Sequence, residues 1–182
     1  MRHLQALFAA SMVALGLSPG AQAQTYPTHP VRIVVGYAAG SGPDVIARAV
    51  GAQLGVSLGQ QFYVENRTGA NGTIATNLVV RAEPDGYTLL YSSSSITPTP
   101  YVYKKLPYDL VKDLTPIATS GILDGYLMLV NPSLPVKTVP EFIAYAKTHR
   151  VLYGSPGIGN ALHLVAEIFK NKAGIEMEHI PY

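Results

Sequence analysis

The most informative absence in this 182-residue sequence is cysteine, of which it has none. Without cysteine the chain can form no disulfide bond, no thiolate nucleophile and no cysteine-ligated metal site, and it lacks the lipid-bearing cysteine of a lipoprotein. Charged residues are also scarce, at 13% of the sequence, and the formal net charge of +2 is not concentrated in a basic cluster. These features argue against a nucleic acid partner.

The sequence also lacks the run of about 20 apolar residues that a membrane-spanning helix needs. Its most apolar stretch, residues 4–17, follows a short basic start at Arg2 and His3 and precedes Ala21-Gln22-Ala23. A basic start, a short apolar core and a small-x-small site are typical of a cleavable secretory signal. We therefore predict that residues 1–23 are a signal peptide and that the exported remainder is soluble. That remainder, about 160 residues, is long enough to build one core or to begin two.

After the leader, short β-rich runs alternate with helical patterns. Strands are predicted at 31–36, 62–65 and 87–91, with helices at 45–58 and 74–82 between them. This order predicts an α/β fold in which a parallel sheet carries helices on its faces. A proline-containing surface segment follows. The elements predicted after it are strands at 116–119, 126–130 and 151–153, helices at 139–148 and 161–173, and a last strand within 174–182.

Two loops share one arrangement, in which a buried strand leads into small residues and a helix begins. They are residues 36–44 and residues 154–160. Helix N-termini present unpaired N–H groups and the positive end of the helix dipole, so they attract anions. Ligands also gather at the C-terminal ends of strands in open α/β sheets, and Ser41 and Ser155 can each add a hydroxyl. Strand-to-helix connections favour Gly, Ser, Pro and Asp for structural reasons alone, so an anion site and an ordinary connection are both open interpretations.

Other chemical signals are weaker. Ser92 to Ser95 follow the third predicted strand, where their hydroxyls can face the same crevice. No serine lies in a G-x-S-x-G elbow, so the sequence gives no support for a hydrolase nucleophile. His163 and Glu167 lie one helical turn apart, but two ligands do not make a metal site, and we interpret the pair as a solvated contact. Asp44 is predicted in the first turn of its helix, where the dipole favours a carboxylate.

The alternative function is that of an NAD(P)-binding oxidoreductase. The G-x-x-x-G-x-G spacing of short-chain dehydrogenases is present in three glycines, Gly36, Gly40 and Gly42. Glu65 ends the second strand, where a ribose-binding acid belongs, and Tyr101 and Lys105 have Tyr-x-x-x-Lys spacing. Three features oppose this interpretation. Asp44 places a carboxylate where the pyrophosphate would rest, the Tyr101 region is flanked by prolines, and a signal peptide directs the protein away from the cofactor pool.

Several motifs follow one another in a specific order and spacing. They are residues 37–48, 64–72 and 84–90, Tyr108-Asp109 with Lys112-Asp113-Leu114, and residues 153–159 with His163-Leu164. Together they resemble the Bug family, the periplasmic receptors of tripartite tricarboxylate transporters. The resemblance covers the whole chain through His179-Ile180-Pro181-Tyr182. It implies an α/β fold of the periplasmic-binding-protein type II class, a two-lobed Venus flytrap that is truncated here at the C-terminus.

The resemblance also implies what the protein does. A periplasmic receptor of this family captures a small organic carboxylate for the membrane components of its transporter, without catalysis, cofactor or metal. Residues 24–122 would form the first lobe and residues 123–182 an incomplete second lobe, in a protein that is monomeric at full length. Backbone N–H groups and hydroxyls would hold the carboxylate between the lobes. The implied ligand-binding residues are Tyr37, Ala38, Ala39, Gly40, Ser41, Asp44, Ser93, Ser94, Ser155, Pro156, Gly157, Gly159, Asn160 and His163.

The sequence departs from the family pattern in the loops. The family usually has Pro-Pro-Gly-Gly where this chain has Ala38-Ala39-Gly40-Ser41. It has Ser where Pro156 stands and commonly Gly where Asn71 stands. Ala38 and Ala39 free two backbone N–H groups that prolines would lack. These departures leave ligand preference open among citrate-like tricarboxylates, dicarboxylates, acidic amino acids and aromatic acids such as nicotinate or terephthalate.

Overall fold

The computed structural model describes residues 25–122 and 125–182. The predicted signal peptide lies outside these residues, as do two of the residues at the predicted crossing between the lobes. Within the described ranges, no helix has both the length and the apolar character that crossing a membrane requires.

The first sheet has three parallel strands in the order β2-β1-β3. They are β1 (Val31–Val35), β2 (Phe62–Asn66) and β3 (Thr88–Tyr91). Four of the five residues of β1 are buried, as expected for the central strand of a sheet that is covered on both faces. The register pairs Val35 with Asn66 and with Tyr91, so the three strands end at one edge. The parallel sheet predicted from the sequence is confirmed.

Two helices pack against this sheet. The first, α1 (Gly42–Leu58), follows β1, and the second, α2 (Thr73–Val80), follows β2. Helix α1 approaches the sheet closely at Gly51, where an added Cβ would lie 3.2 Å from the Ile33 side chain. Only glycine permits this approach without displacing the core. That core consists of Val31, Ile33, Val35, Ala47 and Phe62.

Short helical turns follow the C-terminal ends of β2 and β3. Residues Ala70–Gly72 and Ser94–Ile96 form 3-10 helices, and α3 (Thr99–Val102) is a single α-helical turn. The first of these turns crosses the start of the β1–α1 loop, because an added Cβ on Gly36 would lie only 2.7 Å from the Cα of Gly72. The loops that follow β1 and β2 are therefore in contact at the sheet edge.

The strands predicted at 116–119 and 126–130 are wrong. Neither segment pairs with a strand among the described residues. Their large side chains are exposed, and Leu127 and Leu129 are 90% and 87% accessible. A strand needs a neighbour to accept and donate its ladder hydrogen bonds, and a β-rich composition does not supply one.

A second parallel sheet contains β4 (Leu152–Ser155) and β5 (Glu178–Pro181). Helix α4 (Val139–Ala146) precedes β4, and α5 (Ala161–Ala173) connects the two strands. The bounds of α5 match its prediction, since Asn160 caps its start and Gly174, with a positive φ of 59°, ends it. This sheet has a core of its own, formed by Phe142, Ala146, Ile175 and Met177.

Candidate functional site

The loop between β1 and α1, residues 36–41, presents small exposed residues at the edge of the first sheet. The N–H of Ser41 donates to the carbonyl of Ala38 at 3.1 Å, which closes the turn. The N–H groups of Ala38 and Ala39 meet no acceptor within the part of the chain that the structure describes. Prolines at these two positions would have no N–H group, so the alanines provide two free donors.

Asp44 holds this loop in place from the first turn of α1, the position that the sequence predicts for it. Its carboxylate is buried and accepts hydrogen bonds from Gly40 N at 2.8 Å, Arg48 Nε at 3.0 Å and Asn66 Nδ2 at 2.8 Å. Asn66 also donates to the carbonyl of Tyr37 at 3.0 Å. The bond from Arg48, followed by those from Gly40 and Asn66, lowers the pKa of Asp44 to about 2. The ionised carboxylate therefore joins the loop, α1 and the end of β2.

The serines after β3 meet the first loop. The hydroxyl oxygen of Tyr37 lies 2.8 Å from Ser93 Oγ, and Ser93 Oγ also accepts from Ser95 N. Ser94 is exposed next to them. The Oγ atom of Ser41 is buried and has no hydrogen-bond partner among residues 25–122 and 125–182. The structure thus brings Ser93 and Ser94 together with the first loop, as their positions at neighbouring strand ends predict.

The second loop, residues 154–160, begins at the C-terminal end of β4. Ser155 is buried, and its Oγ lies 2.7 Å from His179 Nε2 on β5. The same Oγ accepts from Gly157 N at 3.3 Å. Pro156 is exposed, and Gly157 has a φ of 136° with no atom within 4 Å of where a Cβ would stand. The hydroxyl of Ser155 is engaged within the protein, while the tip of the loop is open.

An aromatic and charged cluster lies beneath this loop. The rings of His163 and His179 are 4.2 Å apart, and that of Tyr153 stacks on His179 at 5.0 Å. Tyr153 Oη donates to Glu167 Oε1 at 2.7 Å, and Glu167 also pairs with Lys170 at 2.9 Å. The interpretation of His163 and Glu167 as a solvated pair is therefore corrected, because each has other partners. Within the described ranges, no three potential metal-ligating side chains converge.

Burial and these contacts shift several ionisation equilibria. Burial, followed by the neighbouring His163, lowers the pKa of His179. Burial and the bonded Glu167 raise the pKa of Tyr153. The hydrogen bonds from Tyr153 and Lys170 lower the pKa of Glu167. The cluster thus combines a neutral tyrosine, an anionic glutamate and a histidine that resists protonation.

Contacts between the two sheets bring both loops to one place. Asn160 Nδ2 donates to Asn71 Oδ1 at 2.9 Å, and Asn71 Nδ2 donates to the carbonyl of Ser95 at 3.1 Å. Gly159 lies so close to α3 that an added Cβ would be 2.7 Å from Val102 Cγ1. The second loop therefore sits at the C-terminal edge of the first sheet, beside the turns that follow β2 and β3.

Sequence reasoning missed several residues that shape this site. Asn66 ends β2 and Asn71 lies in the turn that follows it, so both are polar side chains near a strand end, a position that could have identified them. Arg48 lies four residues after Asp44, a spacing that favours a helical ion pair. His179 gives no local signal, because its contact with Ser155 joins residues 24 positions apart.

A concavity of about 360 Å³ lies on the segment that follows the first sheet and contains none of the predicted ligand residues. Its lining includes Tyr101, Tyr103, Lys104 and Tyr108. The hydroxyl of Tyr108 is buried without a partner among the described residues. This concavity is distinct from the two small-residue loops.

The chain is similar to proteins of one family along most of its length. A family model described as "Tripartite tricarboxylate transporter family receptor" matches residues 46–182. A UPF0065 protein of Bordetella bronchiseptica is 42% identical over 177 residues, which are 97% of this chain and 52% of that relative. Protein BugT of Bordetella pertussis is 34% identical over 187 residues, covering 100% of this chain and 57% of its own. The chain therefore spans about half the length of the curated relatives it matches.

Solved structures also resemble the chain. A protein of R. palustris, solved with adipate, is 32% identical with a TM-score of 0.77, covering 86% of this chain and 53% of that one. MatC of Rhodopseudomonas palustris, with bound malate, is 27% identical with a TM-score of 0.73, covering 86% of this chain and 54% of its own. Adipate and malate are both small dicarboxylates.

Proposed function

Because the chain belongs to the tripartite tricarboxylate transporter receptor family, we propose that it captures a small organic carboxylate as part of a periplasmic solute-binding receptor. The whole protein would then deliver this ligand to the membrane components of a tripartite tricarboxylate-type transporter. The family consists of receptors rather than enzymes. The resemblance to the Bug family and the periplasmic-binding-protein fold class, both predicted from the sequence, are confirmed.

One observation carries the proposal: the second loop is held at the C-terminal edge of the first sheet by the bond from Asn160 to Asn71. That contact puts two small-residue loops, each between a strand and a helix, beside one another. Helix N-termini and exposed backbone N–H groups favour an anion between them. The free N–H groups of Ala38 and Ala39 add donors that can form charge-assisted hydrogen bonds to a carboxylate.

The two sheets would belong to two lobes, residues 24–122 and residues 123–182. Support for this division comes from their hydrophobic cores, which share no residue. The first loop would form one wall of the site, Ser93 and Ser94 its base, and the second loop the other wall. A monomeric full-length receptor in the periplasm, exported by the predicted signal peptide, completes the proposal.

The dehydrogenase alternative has no support in the family and structure matches. Helix α3 ends at Val102, so Tyr101 and Lys105 do not share the helix that a Tyr-x-x-x-Lys pair needs. Tyr101 is also 91% exposed. The N–H of Gly40, which would face a pyrophosphate, donates instead to Asp44.

Thermal unfolding with adipate, malate, citrate and NAD tests the proposal. A ligand at one hundred times its dissociation constant stabilises the folded state by about 2.7 kcal/mol, which raises the melting temperature by several degrees. We expect such a rise with at least one carboxylate and none with NAD. A rise with NAD alone, or no rise with any carboxylate at millimolar concentration, would overturn the proposed function.

A further inference from the structure

We propose that Asn71 is a positioning residue that ties the second loop to the first sheet and thereby sets the spacing of the carboxylate-binding loops. This inference rests on the proposed function and names a residue that the sequence did not assign to the site. Asn71 would act through Asn160 and Ser95 rather than by touching the ligand.

The hydrogen bonds around Asn71 form a chain with a fixed direction. The N–H of Leu162 donates to Asn160 Oδ1, Asn160 Nδ2 donates to Asn71 Oδ1, and Asn71 Nδ2 donates to the Ser95 carbonyl. Rotating either amide by 180° would place donor against donor or acceptor against acceptor. Each asparagine therefore has one orientation that satisfies both neighbours. A chain of this kind transmits position between the second loop and the serines that follow β3.

Both asparagines are buried, with 8% of Asn71 and 2% of Asn160 exposed. When a buried amide loses its hydrogen-bond partner, the free-energy cost of removing it from water is no longer offset. Water therefore does not readily replace the bond between them. The link is stronger than an equivalent contact at the surface of the protein.

The backbone around Asn71 is held in an unusual conformation. Ala70, Asn71 and Gly72 have φ values of 46°, 53° and 82°, three left-handed residues in succession. Residues with a Cβ avoid this region, although asparagine tolerates it better than most. Backbone strain of this kind persists where surrounding contacts determine it, and it often marks functional positions. Here it aims the Asn71 amide at Asn160.

The two ends of this chain of hydrogen bonds lie within the predicted site. Ser95 directly follows Ser93 and Ser94, which we place at the base. Asn160 closes the second loop, where its N–H donates to the Gly157 carbonyl at 3.2 Å. The two hydrogen bonds of the Asn71 side chain therefore couple the base of the site to its far wall.

Two substitutions remove the bond without removing its surroundings. Asn71→Gly keeps the left-handed backbone and deletes the amide, while Asn160→Ser keeps an oxygen to cap α5 and deletes the amide N–H donor. Titration calorimetry with adipate should show each variant binding about threefold to tenfold more weakly, the usual worth of one hydrogen bond. The double variant should bind no more weakly than the worse single variant, because both changes remove the same interaction. Asn77→Ala on α2, which loses only a contact with Arg81, should leave the affinity unchanged.

Unchanged affinity in Asn71→Gly, or additive losses in the double variant, would overturn the positioning role. If the parent chain binds neither adipate nor another carboxylate, the proposed function fails, and amide hydrogen exchange then tests the link alone. Faster exchange at Gly159 and Asn160 in Asn71→Gly would support the link between the loops. Identical exchange in the parent chain and the variant would refute it.

Discussion

Gly159→Ala should weaken the contact between the second loop and α3. The added Cβ would lie 2.7 Å from Val102 Cγ1 and 3.0 Å from Val102 Cβ, well inside van der Waals contact. Gly159 also has a φ of 79°, and an alanine in the left-handed region costs about 1–2 kcal/mol. Overpacking in a close contact costs about 1–3 kcal/mol more. The combined penalty is about 2–5 kcal/mol, unless the loop moves away from α3 and gives up the contact.

Thermal and urea unfolding of three variants separates these two costs. Gly157→Ala serves as the matched control, because its φ of 136° strains an alanine while the space around it is empty. Val102→Ala removes the methyl groups that clash, so combining it with Gly159→Ala should recover part of the lost stability. Equal losses in Gly159→Ala and Gly157→Ala, with no recovery in the double variant, would refute the close packing of the second loop on α3.

Three further predictions concern individual groups of the site. The pKa of Asp44 is about 3.9 in the unfolded chain and about 2 in the folded protein. Its carboxylate therefore stabilises the fold above pH 4 and loses that effect as the pH falls from 4 to 2. The melting-temperature gap between the parent chain and Asp44→Asn should therefore close over that range, and a constant gap would contradict it. The pKa of His179 is lowered by burial, so the unfolded chain binds more protons and stability should fall below pH 6.5. Melting curves of His179→Asn should show a smaller fall, and an unchanged pH dependence would exclude this role. Ala39→Pro removes one free N–H and should weaken adipate binding about twofold to tenfold, whereas Ala39→Ser, which keeps it, should not. Equal affinity in the two variants would show that this N–H does not meet the ligand.

The elements that the sequence predicted correctly depend on local patterns. A β-branched run predicts β1, and helical spacing of apolar residues with Asn160 and Gly174 at its ends predicts α5. In each case neighbours in sequence determine the hydrogen bonds. Segments 116–119 and 126–130 are also predicted as strands, yet they remain unpaired in the described structure. Whether an apolar extended segment becomes a strand depends on a partner that composition does not reveal.

The candidate site divides in the same way. Small residues between a strand and a helix identify both loops, and the carboxylate of Asp44 lies in the first turn of α1 as predicted. The bond between Asn71 and Asn160 joins residues 89 positions apart. Neither side chain carries a local pattern that predicts this contact. The sequence therefore predicts which loops form the walls, while the spacing between the walls depends on long-range contacts.

The two walls are held in physically different ways. The first loop is fixed within its own sheet, because Asp44 bonds to Gly40, Arg48 and Asn66. The second loop depends on contacts with the other sheet, through Asn71 and the close approach of Gly159 to Val102. Because the second loop docks through only a few contacts, the spacing between the two walls can change at low energetic cost. We therefore expect Asp44→Asn to act mainly on stability, and Asn71→Gly to act mainly on affinity.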